Sequence, residues 1–128
     1  MEKEKKYILI VEDEPINTLF LKAVLTPVIT DDTEIITVEN GLEAVNVCKE
    51  NQDIHLILMD VRMMVMNGYD ATKEIKSFNP HVPIIAQTSF ASLDDKVEAI
   101  AVGCDDYITK PIDRNLLIEK VSEHIELK

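Results

Sequence analysis

The stretch Ile54-His55-Leu56-Ile57-Leu58-Met59-Asp60, followed by Val61-Arg62-Met63-Met64-Val65-Met66-Asn67-Gly68, decides how the chain is read. An apolar run of Ile and Leu that ends abruptly in a carboxylate, and then in a loop closed by Asn-Gly, has the pattern of a buried strand. It delivers Asp60 to the edge of a sheet, where open α/β folds keep their chemistry. An Asp in this place most often caps a turn or a following helix, so its meaning depends on what else reaches the same edge.

Upstream, Tyr7-Ile8-Leu9-Ile10-Val11 is a second continuous apolar run, as expected of a strand covered on both faces, and it stops at Glu12-Asp13-Glu14-Pro15. Pro15 suits the first turn of a helix in which Ile16, Leu19, Phe20, Ala23 and Val24 recur at helical spacing until Thr26-Pro27. Residues 34–38 read as a more polar edge strand, and 41–49 as a short helix with Leu42, Val45 and Cys48 inward. Downstream, Asn67-Gly68 opens a helix carrying Ala71, Thr72, Ile75 and Phe78, ended by Asn79-Pro80. A fourth strand over 82–87 runs into Thr88-Ser89-Phe90, and Ser92 caps a helix with Leu93, Val97, Ile100 and Ala101 on one face, closed by Gly103. Residues 106–109 form a fifth strand, left by Lys110-Pro111. Asp113 then caps a last helix whose Leu117, Ile118, Val121 and Ile125 form its buried stripe. Strand and helix alternate five times without linker or repeat, which predicts one α/β domain over 1–128, a doubly wound parallel sheet with helices on both faces.

Charge narrows the partners. The 24 acidic and 13 basic residues among 128 give a formal net charge of -11, which opposes nucleic acid and anionic membrane by long-range repulsion. Cys48 and Cys104 lie far apart with no CxxC and no nearby paired His, so they signal neither zinc nor redox chemistry and read as buried small residues. The start Met1-Glu-Lys-Glu-Lys-Lys leads into only a short apolar run, too short for a signal-peptide core or a membrane span, so a reducing cytoplasm is expected.

Glu12, Asp13 and Asp60 all arrive at the carboxyl ends of strands. Three converging carboxylates repel one another, and a divalent cation removes the penalty; oxygen-only ligands with open positions suit Mg²⁺ or Mn²⁺. Thr88 ends the fourth strand and Lys110 the fifth, so a hydroxyl and an ammonium face the acids. Taken singly, a strand Thr is a packing choice and a Lys is a surface charge. Together with the acids and a cation they make a trap for a tetrahedral oxyanion, with Asp60 as nucleophile forming an acyl phosphate.

These residues carry a family resemblance. Val11-Glu12-Asp13-Glu14-Pro15-Ile16-Asn17, Met59-Asp60-Val61-Arg62-Met63, Met66-Asn67-Gly68, Ala86-Gln87-Thr88 and 103–111 (Gly-Cys-Asp-Asp-Tyr-Ile-Thr-Lys-Pro) resemble, in order and spacing, the signature segments of response-regulator receiver domains of two-component signalling. The Glu-Asp-Glu-Pro-Ile-Asn start is most similar to receivers of hybrid sensor histidine kinases. The resemblance implies the flavodoxin-like strand order 2-1-3-4-5 with five helices. It implies that Asp60 accepts a phosphoryl group from a phosphohistidine on a histidine kinase or histidine phosphotransfer protein, and that Asp13, Asp60 and the Arg62 backbone carbonyl bind Mg²⁺ directly, Glu12 acting through water. Thr88 and Lys110 would grip the phosphate, and Tyr107 would swing inward with Thr88, remodelling the surface of the fourth helix, fifth strand and fifth helix. Receivers often dimerise through their last helices, so a homodimer is among the expected assemblies; the chain is not expected to be a turnover enzyme.

Two departures stand out. Met64 occupies a place where the family usually has Pro, which leaves the loop less rigid. Phe90, bulky and apolar, joins Arg62 as a modulator flanking the route of an attacking water, so phosphate loss is expected to be slow, and Phe90→Ala to shorten the aspartyl-phosphate lifetime. A Mg²⁺-dependent phosphohydrolase of the haloacid-dehalogenase kind, with a strand-end Asp nucleophile, is the competing reading, although resemblance to that family would call for a second acid two residues after Asp60, where Arg62 stands. A flavodoxin-like binder is the other, and Glu12 and Asp13 would repel its nucleotide phosphate.

Overall fold

The computed structural model describes residues 4–89 and 92–128. Elements alternate in the order β1 (Lys6–Val11), α1 (Pro15–Leu25), β2 (Thr33–Val38), α2 (Gly41–Glu50), β3 (Ile54–Asp60), α3 (Gly68–Phe78), β4 (Ile84–Thr88), α4 (Leu93–Ala101), β5 (Asp106–Thr109) and α5 (Arg114–Ser122). The strands pair in parallel in the order β2-β1-β3-β4-β5, as the resemblance implied. The chain reverses direction of winding between β1 and β3, so the crevice of this fold opens at their carboxyl ends.

Alternation along the strands builds two cores. Ile8, Ile10, Leu56, Leu58, Ile85 and Ile108 face Leu21, Val24 and Leu25 of α1 and Leu117 and Val121 of α5. Leu9, Val11, Ile57, Met59 and Ile84 face Ala44, Val45 and Cys48 of α2 and Ala71 and Ile75 of α3 on the opposite side. Each buried aliphatic side chain is worth about 1.5–3 kcal/mol, so the central run of β3 fixes both layers at once. Side chains of Asn40, Asn67, Ser92 and Asp113 accept hydrogen bonds from the backbone N–H of Glu43, Asp70, Asp95 and Leu116, setting the starts of four helices at about 1 kcal/mol each.

Several expectations require correction. The fourth strand begins at Ile84 rather than Val82, because Pro83 has no N–H for the ladder, although its carbonyl accepts from Ile57. In α1 the buried residues are Leu21, Val24 and Leu25, whereas Ile16, Leu19 and Ala23 are exposed and Phe20 partly so. Two apolar sets overlap on this helix, and the sheet selects the one opposite Ile8 and Ile10. The stripe expected to bury α4 faces outward: Leu93, Val97 and Ile100 are 75%, 58% and 72% exposed, while Ala99 makes the buried contact. A small residue lets that helix lie close to Val61 and Ala86. Leu42 is half-exposed, its inward place taken by Ala44, and Phe78 is partly exposed with the Lys49 ammonium 5.7 Å from its ring.

Candidate functional site

The site begins as a register fact. Val11 pairs with Met59, so Glu12, just past the end of β1, emerges beside Asp60, the last residue of β3. Glu12 and Asp60 are buried whereas Asp13 is exposed, and one carboxylate oxygen from each of the three lies within 4.8 Å of the others. Lys110, following β5, reaches the same point: its Nζ donates to Glu12 Oε1 at 2.9 Å and to Asp60 Oδ1 at 3.2 Å. The Lys110–Pro111 bond is cis, and Lys110 N donates to Thr88 O at 2.7 Å, which ties the ends of β4 and β5 together.

Burial dominates the electrostatics. It pushes the Asp60 carboxyl up to about 8, helped by the hydrogen bond to Glu12 and the charge of Glu12, against the pull of Lys110. Burial also acts to raise Glu12, but hydrogen bonds from Asp60 and Lys110 outweigh it and hold Glu12 below the usual carboxylate range. Desolvation lowers Lys110, and its two carboxylate partners more than reverse that, so it stays charged. Burial and the Glu12 charge thus favour the neutral form of Asp60 beside an ionised Glu12, a charge conflict that a bound cation relieves.

Around this centre, Gly68 allows the loop to close. A Cβ there would meet the Asp60 carbonyl oxygen at 2.1 Å, and the Gly68 N–H donates to Val61 O at 2.9 Å. Arg62 leads into a cleft of about 510 Å³ that it lines with Asp13, Met63, Met64, Tyr69 and Asp95. Thr88, buried, ends β4 on the face of the sheet that carries Ala86. Tyr107 pairs with Ala86, packs half-buried against Ala99, and has the Lys96 ammonium 5.1 Å from its ring centroid. Glu12, Asp13, Asp60 and Lys110 therefore meet as expected, Thr88 and Arg62 border them, and Tyr107 sits beneath α4. Phe90 lies outside the described residues.

Two features escaped the sequence reading. Gln87 is buried beside Asp60, and its only signal was an amide inside an apolar strand. A groove of about 260 Å³ lined by Ile16, Phe20, Lys110, Pro111 and Ile112 joins α1 to the site. It was hidden by assigning Ile16 and Phe20 to the core.

A doubly wound sheet with acids at the ends of its first and third strands and an ammonium just past its fifth places the chain in the class of open α/β domains with a charged crevice at the strand tips. Within that class, the model of the response regulator receiver domain matches residues 8–122, and the chain belongs to this family, a receiver domain of two-component systems. It is 36% identical over 123 residues to the transcriptional regulatory protein ZraR of Klebsiella oxytoca, covering 96% of this chain but 27% of the relative's length. Among solved structures, the receiver domain of Ssk1 from Saccharomyces cerevisiae, co-crystallised with the histidine phosphotransfer protein Ypd1, shares 34% identity at a TM-score of 0.84, covering 97% of this chain and 91% of that one. The receiver domain of a Pseudomonas aeruginosa sensor histidine kinase, with magnesium coordinated in its active-site cleft, shares 33% identity at a TM-score of 0.82, covering 94% and 97%. Among the described residues, no helix is long and apolar enough to cross a membrane.

Proposed function

We propose that Asp60 is the phosphoacceptor of this receiver, taking a phosphoryl group from a phosphohistidine while Thr88 and Lys110 hold the transferred group. The observation that carries the reading is the Lys110 ammonium set against Glu12 and Asp60 beside Asp13, a concentration of opposed charges at one strand tip. The donor set is all oxygen, so Mg²⁺ or Mn²⁺ fits, held by Asp13, Asp60 and the Arg62 backbone carbonyl, with Glu12 acting through water. Bound there, the cation supplies positive charge to the acids and to the incoming phosphoryl oxygens. The magnesium in the Pseudomonas receiver supports that choice of ion.

Asp60 has to be ionised to act, and with its carboxyl near 8 it keeps its proton at neutral pH until the site gains positive charge. Its carboxylate oxygen then bonds to phosphorus as the phosphorus–nitrogen bond of the donor breaks, the electron pair returning to the imidazole. Lys110 and Thr88 donate to the phosphoryl oxygens and stabilise their charge. Thr88 and Tyr107 lie on one face of adjacent strands, so a shift of the hydroxyl toward the phosphate makes room under α4 for the ring. The exposed Leu93, Val97 and Ile100 then form part of the surface that changes.

The donor is a histidine kinase or histidine phosphotransfer protein, a reading supported by the complex of the Ssk1 receiver with Ypd1. Exposed Ile16 and Phe20, with Pro111 and Ile112, offer an apolar seat for a helix next to Lys110. Residues 1–128 are taken as one receiver unit, and unpaired Cys48 and Cys104 agree with a reducing, cytoplasmic setting. Incubation with Mg²⁺ and acetyl phosphate, followed by intact mass, is expected to give one phosphoryl adduct on the wild-type chain and none on Asp60→Asn. Sustained turnover of a small phosphoester would instead mark a phosphohydrolase.

A further inference from the structure

Gln87 is fully buried in β4, at 0% exposure, and among the described residues neither its Oε1 nor its Nε2 has a hydrogen-bond partner. A buried amide left unpaired is destabilising, so each such group in a folded interior calls for an explanation, and a second state or a ligand that satisfies it is one. Register shows where this one lies. Side chains alternate along a strand, and Ile10, Leu58, Ile85 and Ile108 share one core cluster. Two residues further along each strand, the same face carries Glu12, Asp60, Gln87 and Lys110. Gln87 pairs with Asp60 on one side and Ile108 on the other. Lys110 springs from the end of β5 yet reaches Asp60 on β3, so its side chain crosses the outer end of β4, above Gln87. An ammonium has three donors, and Glu12 and Asp60 account for two of them.

We infer that Gln87 is a positioning residue for phosphoryl transfer: its amide carbonyl accepts the third Lys110 proton when a cation and a phosphoryl group draw Glu12 and Asp60 away, and so aims the ammonium at the phosphoryl oxygens. The inference rests on the phosphoacceptor reading of Asp60. An apolar side chain of the same length would fill the space at Gln87 and leave Lys110 without that guide.

Gln87→Met tests it. At saturating Mg²⁺, labelling of Asp60 by acetyl phosphate is expected to slow by about tenfold, the value of one hydrogen bond to a charged group, while the melting temperature rises because an unpaired amide has gone. Labelling at the wild-type rate with a raised melting temperature would leave Gln87 a packing residue and overturn the inference. Should the variant not fold, the wild-type chain decides: with Mg²⁺ and beryllofluoride, the ¹³Cδ resonance of Gln87 moves downfield if its carbonyl accepts a hydrogen bond, and an unmoved resonance rejects the role. Absence of an adduct on the wild-type chain, or its persistence in Asp60→Asn, overturns the site reading along with this one; a normal adduct with no effect of Gln87→Met overturns this one alone.

Discussion

Asp60 lies buried beside Glu12, so its ionisation is tied to folding as well as to chemistry. Its folded value of about 8 stands above the ordinary 3.8, and the stability contributed by its neutral form is complete below the unfolded value and lost as pH rises through about 8. The slope from this one group reaches about 1.4 kcal/mol per pH unit. Glu12 is shifted the other way, from an ordinary value of 4.5 downward, so its contribution is lost only on the acid side and leaves the range from pH 6 to 8 to Asp60. Denaturant unfolding without divalent cation should therefore show stability falling between pH 6 and 8 in the wild-type chain and a flatter profile in Asp60→Asn. Parallel profiles would show that Asp60 does not retain a proton. Because a cation at these acids displaces that proton, Mg²⁺ should raise the melting temperature more at pH 8 than at pH 6, and little in Asp60→Asn.

At the scale of elements, the turn between β3 and α3 holds a residue against its preference. Val65 has φ 71, and Met66 N donates to Met64 O at 2.9 Å across it, a tight turn centred on a β-branched side chain. The close approach of Gly68 to Asp60 and the hydrogen bond from Gly41 N to Met66 O hold the segment that follows this turn in place. Val65→Gly should stabilise the chain by about 1 kcal/mol, relief of the left-handed backbone exceeding the added entropy of the unfolded glycine, as read from urea midpoints. A lower midpoint would mean that the exposed Val65 side chain makes contacts that matter. The same contrast explains what the sequence could disclose. Strands and helix starts were legible because Leu56 to Leu58 and the caps at Asn67, Ser92 and Asp113 act through near neighbours. Helix faces were less so. Ile16 and Phe20, or Leu93 and Val97, have the spacing of a buried stripe, and only the competing fit of Leu21 and Ala99 against the sheet shows that they are outside. At the site, the acids and Lys110 were legible as strand-end charges, whereas Gln87 acquires meaning only from the neighbours that register gives it.

At the scale of the whole molecule, two exposed apolar faces among the described residues lie on either side of the proposed phosphoryl site and invite different partners. The α1 face, with Ile16 and Phe20, shares a groove with Lys110 and Ile112, so a protein seated there stands next to the proposed phosphoacceptor Asp60. The α4 face, with Leu93, Val97 and Ile100, is separated from that carboxylate by the Tyr107 and Ala99 layer, so it can respond to the phosphate without touching it. Delivery and output can then be disabled separately. With histidine-phosphorylated Ypd1 as a surrogate donor, Phe20→Glu should lower the rate of transfer by about tenfold or more, the effect of removing one apolar anchor from an interface, while Val97→Glu leaves it unchanged. Acetyl phosphate needs no docking surface, so both variants should label at the wild-type rate with Mg²⁺. Slow labelling of Phe20→Glu by acetyl phosphate would show that the substitution disturbs Lys110 itself, and slow transfer to Val97→Glu would place the donor on α4 instead of α1.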